Sequence, residues 1–489
     1  MKARHEMFEV GVIGGGPAGV TAALRARELG AEVALVERGN MGGVCTNDGC
    51  VPTRVLAKAA RLRRDAEQFA RYGLEGEPPE VDFVRLLNRT QHIVYTIHEK
   101  KQLRGQLEAA GVRVFERVGT ASFLDEYTLT LDGGERLQGE KFILCNGGHA
   151  RRIPFPGSEH ALTHSNIWAL KRVPRSVAVV GGAATGCQLA SIFAAFGARV
   201  RLLDVAPRIL AAEDEAVSDG VAEAFGRRGI EIITRIGGIE GIEKREGHLR
   251  LYYGENGKEH TLDTEAVVLA VGWSGNVEGL NLEAAGVETE RGYVRVDDAL
   301  RTSAPHVFAA GDLTGRMMLV QSATYEGALA AENAALGGER GYRHAIVPHG
   351  GFTDPEYAGV GLTERQAREE VGDAECALAV VPYRDLDRGV IDGRPEGLCK
   401  LVVSRSSRLV LGAHIVGEQA VEVVQLAAAA MRAGMPVEQL ADLELAYPTF
   451  TSIVGLAARR IVRELDSSSP RRPDSGSSGA AEWEHSERG

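Results

Sequence analysis

Nowhere in the 489 residues do apolar side chains run unbroken for the roughly 20 positions needed to cross a bilayer. No membrane span is therefore expected. Basic charge is short as well: 56 Lys and Arg stand against 67 Asp and Glu, a formal net charge of -11. No basic field is available to gather phosphate backbones, so nucleic acid is not an expected partner. Six cysteines are too few in so long a chain for a structural disulfide framework. A reducing compartment, the cytoplasm, is the expectation, and a close Cys pair reads as catalytic or metal-binding. The run after Met1–Phe8 is interrupted at once by Gly14, Gly15 and Gly16, so a secretory leader is not expected either.

The composition that remains is that of a folded protein. Hydrophobic residues make up 44% and charged residues 25%, enough to bury two to four packed cores at this length. From Phe8 the chain reads strand, glycine-rich turn, helix, strand: FEVGVI, GGGPAG, VTAALRARELG, AEVALVE. The same order returns from Ser176 as SVAVV, GGAATG, CQLASIFAAFG, ARVRLLD. A duplicated βαβ module implies two dinucleotides. The segment from Pro348 alternates strands with the Ala-rich helix AVEVVQLAAAAMRAG and has no phosphate loop, so it reads as a separate α+β unit. After Leu465 the chain turns to Ser, Gly, Pro and charge, and a disordered tail is expected.

Gly14-x-Gly16-x-x-Gly19 lies between a strand and a helix, the context in which this spacing has mechanical meaning. Gly14 permits the tight turn, Gly16 admits a pyrophosphate, and Gly19 lets helix and strand close up, while the helix N-terminus donates N–H groups to phosphate. Glu37, closing the second strand, is placed to accept from a ribose diol. The second loop keeps Gly181 and Gly186 but has Ala183 in the middle, and Asp204 stands where Glu37 does. An acidic residue there favours NAD(H) and makes NADP(H) less suited, with Arg208 nearby as the opposing influence. Cys45 and Cys50 follow the first module, preceded by Gly42 and Gly43, whose small size lets a flavin ring approach. On the residues alone, this pair is redox-active, a zinc site or two inert thiols. Zinc requires further ligands at short spacing and none is near, so no metal site is expected. Cys145, Cys187, Cys376 and Cys399 sit in apolar runs and read as small hydrophobes.

These segments resemble the pyridine nucleotide-disulfide oxidoreductases, a family that includes dihydrolipoamide dehydrogenase, glutathione reductase and mercuric reductase. GGVCTNDGCVPTR is similar to the family's redox-disulfide signature, VFAAGDLTG to its second FAD motif, and FTDPEYAGVGLTE to the start of its dimerisation domain. The resemblance implies an α/β fold of two Rossmann-like dinucleotide-binding domains, for FAD and NAD, plus a C-terminal α+β dimerisation domain. The expected division is 1–150 with 278–345 for FAD, 151–277 for NAD(P), 346–465 for dimerisation and 466–489 for the tail. It further implies a Cys45–Cys50 disulfide with Cys50 nearer the flavin, and FAD contacts from Gly43, Gly147, Gly311 and Asp312. Gly272 is placed with the nicotinamide site, and a homodimer has each subunit completing the other's active site.

The departures from the family pattern carry as much information. Relatives use a C-terminal His and Glu as acid and base; here Tyr447 and Ser452 stand in those places, and neither titrates near neutral pH. The family's Lys–Glu pair beside the flavin becomes Arg54 and Gln188, which predicts a cation without its compensating carboxylate. Ala184 replaces a lid tyrosine, Cys145-Asn146-Gly147 replaces Ala-Thr-Gly, and Trp273 replaces an arginine. The expected activity is electron transfer from NADH through FAD to Cys45–Cys50 and on to a disulfide or other small acceptor. Alternatives are a quinone or metal-ion reductase, a diaphorase or transhydrogenase in which the disulfide is incidental, and a non-enzymatic redox sensor or scaffold.

Overall fold

The computed structural model describes residues 6–467. Its first sheet is built on β1 (Glu6–Ile13) and β2 (Val33–Glu37), joined by helix α1 (Pro17–Glu28). The strand order runs 113–116, β2, β1, 136–144, 128–131, 121–125, with 307–309 pairing in parallel beside 136–144. The central strands read as continuous apolar runs, Val33–Val36 being fully buried, because helices cover the sheet. A chain segment near residue 307 thus completes a sheet begun at residue 6.

Small residues explain how close the helices come. Ala18, Ala22, Ala23 and Ala26 are buried on α1, which packs against helix Val320–Leu336. A Cβ added at Gly327 would stand 2.2 Å from the Ala18 carbonyl oxygen, so only glycine allows this approach. The second module is a four-stranded parallel sheet in the order 231–233, 199–203, 176–180, 266–269. A three-stranded antiparallel sheet over 236–264 lies beside it in sequence. The third is a five-stranded antiparallel sheet, 349–351, 356–361, 410–417, 398–404, 376–382, backed by helices Ala420–Arg432 and Ser452–Ser467.

Helix Ser452–Ser467 carries Asp466 and Ser467 as helix, so the ordered chain extends two residues past the expected boundary at Leu465. Leu465, buried in the third core, anchors that turn. The rest of the expected tail lies outside the described residues. Among the described residues, no helix is long and apolar enough to cross a membrane.

Candidate active site

The two glycine loops are geometric copies. Gly14 has φ +110° and Gly181 φ +107°, values that L side chains rarely adopt. A Cβ on Gly14 would meet the Cys145 carbonyl at 2.2 Å, and one on Gly181 the Ala270 carbonyl at 2.3 Å. At the third position Gly19 lies against the Gly14 carbonyl, where a Cβ would stand at 1.8 Å, and Gly186 against Gly181 at 1.7 Å. The middle position is different in kind: Gly16 has φ −76°, ψ −174° and Ala183 φ −83°, ψ −172°. That is ordinary extended backbone, so the alanine costs no strain.

The acidic residues repeat too. Glu37 accepts from the backbone N–H of Gly15 and of Gly39, both at 2.7 Å. Asp204 accepts from Gly182 N–H and from Ala206 N–H, the latter at 2.6 Å. Each carboxylate ties its glycine turn to the end of the second strand. Arg208 donates to the carbonyls of Leu210, Ala211 and Glu213. It is engaged with the carbonyls of its own loop.

A cleft of about 840 Å³ joins the first loop to the edge of the second, within the usual range for cofactor and ligand sites of about 300–1,000 Å³. Gly14, Gly16, Glu37, Gly43, Cys45, Cys50, Gly147, Gln188, Gly311 and Asp312 all line it. Gly181, Gly186, Asp204 and Gly272 stand on the second module outside that lining, as does Gly19 beneath the first loop.

Cys45 lies in the short helix α2 (Gly43–Asn47), and Cys50 is the first residue of α3 (Cys50–Ala66). Each thiol is the strongest electrostatic influence on the other. Cys45 draws the Cys50 thiol down to about 7 despite burial, helped by Cys50's own backbone N–H at the helix start. Cys50, with burial, drives Cys45 upward. Of the two, Cys50 is the more acidic thiol and Cys45 the less. Burial pushes up the thiols of Cys145, Cys187 and Cys399, the last to about 12. They are chemically quiet.

Between the cysteines, Asp48 anchors the loop. It accepts from Trp168 Nε1 at 3.0 Å and from the Ser165 hydroxyl, and lies 3.5 Å from His164 Nε2. Burial pushes its carboxyl up, but the bonds from His164, Ser165 and Trp168 outweigh this and hold it below the usual range. His164 in turn packs at a tilt against Trp273, ring centroids 4.7 Å apart.

One expectation requires correction. Arg54 does have a carboxylate partner: Nη1 is 2.8 Å from Glu356 Oε1, a side chain only 3% exposed. Its guanidinium also lies 4.3 Å over the Phe352 ring, while Gln188 turns away, accepting from Phe352 N–H and donating to the Ala184 carbonyl. The lost charge is supplied by the third sheet. Tyr447 is not brought to the cysteines of its own chain; it is half exposed and donates to Asp387 Oδ2 at 2.6 Å. Ser452 donates to the Thr449 carbonyl. Asp48, His164, Glu356 and the His349–Glu213 contact were not singled out from the sequence: Asp48 and Glu356 lie inside quoted motifs without a role read for them, and no motif marks His164, His349 or Glu213.

A fold with two dinucleotide-type glycine loops, and a thiol pair in the cleft of the first, is that of a nucleotide-dependent oxidoreductase. The chain belongs to the pyridine nucleotide-disulphide oxidoreductase family, whose profile matches residues 8–327, and the family's dimerisation domain matches 347–458. It is 33% identical over 454 residues to dihydrolipoyl dehydrogenase of Geobacillus stearothermophilus, covering 91% of this chain and 94% of that protein. It is 32% identical to mercuric reductase of Staphylococcus aureus, over 92% of this chain and 82% of the other. Among solved structures, the Cu(II) complex of the HOCl-induced flavoprotein disulfide reductase RclA from Escherichia coli superposes with a TM-score of 0.81 at 26% identity, over 93% of this chain and all of that one. The protein is a flavin-dependent pyridine nucleotide-disulfide oxidoreductase. Its family implies FAD and a pyridine nucleotide, and its dimerisation domain supports a homodimer.

Proposed function

We propose that the enzyme passes two electrons from NADH, by way of FAD, into a Cys45–Cys50 disulfide and on to a small acceptor, and that disulfides are its poor acceptors. The observation that carries this reading is the polarised thiol pair, Cys50 low and Cys45 high, on the wall of the cleft framed by the first glycine loop. The cleft fits FAD. A Cβ on Gly43 would stand 3.0 Å from the Gly16 Cα, filling the floor on which a pyrophosphate must lie. The Asn146 Oδ1 atom is buried there with no partner among the described residues, an orphan that a bound ligand would satisfy. Gly14, Gly16, Gly43, Gly147 and Gly311 would frame the cofactor, Glu37 its ribose, and Asp312 the linking chain. Gly181, Gly186, Asp204 and Gly272 would hold the nicotinamide dinucleotide. With Asp204 at the ribose and Arg208 engaged elsewhere, a free 2′-hydroxyl is favoured over a 2′-phosphate.

FAD, when bound, supplies hydride acceptance from the nicotinamide and two-electron delivery. The chain's own part begins at the thiols. Two electrons and one proton turn the disulfide into a Cys50 thiolate and a Cys45 thiol, the state that the interaction between them stabilises. Asp48 holds the loop between them, and the Arg54–Glu356 pair places a fixed cation, backed by a carboxylate, on α3. Cys45 then meets the acceptor.

The acceptor preference rests on what surrounds that meeting. A disulfide acceptor needs a proton at its leaving sulfur during exchange on Cys45, which relatives manage with the C-terminal His. Here Tyr447 and Ser452 occupy those positions. A metal ion takes electrons without a proton, and a quinone takes its protons on oxygen and so needs none at a leaving sulfur; a mercuric reductase and a Cu(II) complex of a disulfide reductase are among the relatives. Steady-state NADH oxidation should run at least ~10²-fold slower with glutathione disulfide or lipoamide than with a quinone, and Tyr447→His should narrow the gap. Fast disulfide turnover by the unaltered enzyme defeats the reading.

A further inference from the structure

We propose that His349, positioned by Glu213, is the proton donor for acceptors that take up protons with their electrons, drawing on a second cleft behind Glu213. The inference rests on the Cys45–Cys50 reading above and adds to it the source of the proton. Two clefts approach each other at this point in the fold. His349 lines the larger one together with Cys45 and Cys50. Glu213 lines a smaller one of about 420 Å³ with Asp214, Glu364 and Lys400. One residue of each lining meets the other, His349 Nε2 lying 3.1 Å from Glu213 Oε2. His349 is about one-third exposed and Glu213 only 13%; Nε2 faces Glu213 and Nδ1 lies 3.3 Å from the Val347 carbonyl, so Nδ1, at the longer contact, is the nitrogen that would turn to an acceptor in the larger cleft.

The surroundings fit proton traffic better than a plain structural ion pair. A Cβ on Gly359 would stand 3.2 Å from His414 Nδ1, 3.4 Å from Glu213 Oε2 and 3.4 Å from His349 Cε1. The bare glycine lets all three groups crowd one spot. His414 is 2% exposed, and its Nε2 bonds to the Leu362 carbonyl. Its Nδ1 is then a buried acceptor, and it has no partner among the described residues. Such an atom costs stability unless something transient serves it. Lys400 bridges Asp214 and Glu364 behind it, fixing the charges that line the outer cleft.

His164 also lines the larger cleft, but it is locked against Asp48, Ser165 and Trp273 and nearly buried. From the strand beside His349, Tyr357 is buried with its phenol held protonated, by burial first and Glu213 second. Helix Ala184–Ala195 brings only the buried thiol of Cys187, and helix Ala420–Arg432 carries Glu422, which is exposed. Glu213 is thus the charge in direct contact with the imidazole. Burial alone would pull His349 down, yet Glu213 raises it above its ordinary value.

The balance for a quinone closes. Quinone plus two electrons and two protons gives the hydroquinone. The electrons come from the Cys50 thiolate and Cys45 thiol as their S–S bond re-forms, and Cys45 releases one proton. His349 supplies the other and recovers it from water through Glu213. Ferricyanide takes the same electrons one at a time and needs no proton.

The test uses holoenzyme, NADH and two acceptors, tetramethyl-p-benzoquinone and ferricyanide, across pH. The quinone-to-ferricyanide ratio of kcat should fall as pH rises through the raised His349 pKa, because the donor must be protonated. His349→Gln should lower that ratio about 10²-fold and flatten its pH profile. Glu213→Gln should move the break to lower pH, and Glu213→Asp should restore it in part. Independently of turnover, the rate at which diethylpyrocarbonate modifies His349, read by peptide mass, should titrate at the same pH and shift likewise in Glu213→Gln. An unchanged ratio in His349→Gln, or an unmoved His349 titration in Glu213→Gln, overturns the proposal. If His349→Gln fails to retain FAD, the Glu213 variants decide. Failure of the underlying reading shows separately, as no NADH-dependent release of thiols from Cys45 and Cys50 in the unaltered enzyme.

Discussion

Replacing Cys45 with alanine removes the partner that does most to hold the Cys50 thiolate. That partner is the largest influence drawing Cys50 from an ordinary 9.0 to about 7, and burial opposes it. Without it the Cys50 thiol should return to about 9 or above, a change of ~2 units or ~2.7 kcal/mol in favour of the protonated form. At neutral pH the thiolate fraction then falls from about one half to ~1%. A more basic thiolate is a better nucleophile, with a Brønsted coefficient of about 0.4–0.5, which returns a factor of ~8. Alkylation of Cys50 by iodoacetamide in the reduced holoenzyme should therefore slow only ~6-fold at pH ~7, while its pH midpoint moves up by ~2 units. The midpoint is the sharper reading. Cys145, Cys187 and Cys399 are buried with raised thiols and do not compete. Cys45→Ser, which keeps a donor hydroxyl, should fall between. A Cys50 midpoint still near 7 in Cys45→Ala refutes the assignment of Cys45 as the partner that makes Cys50 the more acidic thiol.

Asp204→Ala should cut the NADH-over-NADPH preference in kcat/KM by about tenfold, since a charged hydrogen bond of ~1.5–3 kcal/mol is lost only with the free ribose; an unchanged ratio would place cofactor choice elsewhere. Gly19→Val should abolish FAD retention, because even a Cβ there stands 1.8 Å from the Gly14 carbonyl and overpacking of this kind costs about 1–3 kcal/mol or more. Absorbance of the desalted protein reads the outcome.

What the sequence disclosed follows from the range of the interactions involved. The glycine loops are legible because each glycine answers a local backbone demand: positive φ at Gly14 and Gly181, carbonyl contact at Gly19 and Gly186. The replacement at Ala183 was equally readable, since its backbone is extended. Glu37 and Asp204 were visible from their spacing after those loops. The partner of Arg54 was not. Glu356 lies 302 residues away, and only the packing of the third sheet against α3 brings it in. The His349–Glu213 contact joins positions 136 residues apart, one on the edge strand of the third sheet and one in the loop before helix Glu215–Arg227. Neither leaves a pattern along the chain, because each is specified by how preformed units dock. The expectation of an uncompensated Arg54 failed for that reason: it counted charges within the motif and missed one delivered from outside it.

The central claim is that electrons from the nicotinamide reach Cys45 and Cys50. Oxidised holoenzyme is treated anaerobically with NADH, quenched with iodoacetamide, and mapped by peptide mass beside a sample that received none. The account predicts alkylation of both Cys45 and Cys50 only after NADH, and only in protein that carries FAD. Flavin bleaching by NADH with Cys45 and Cys50 still unlabelled, or equal labelling of both samples, would contradict it.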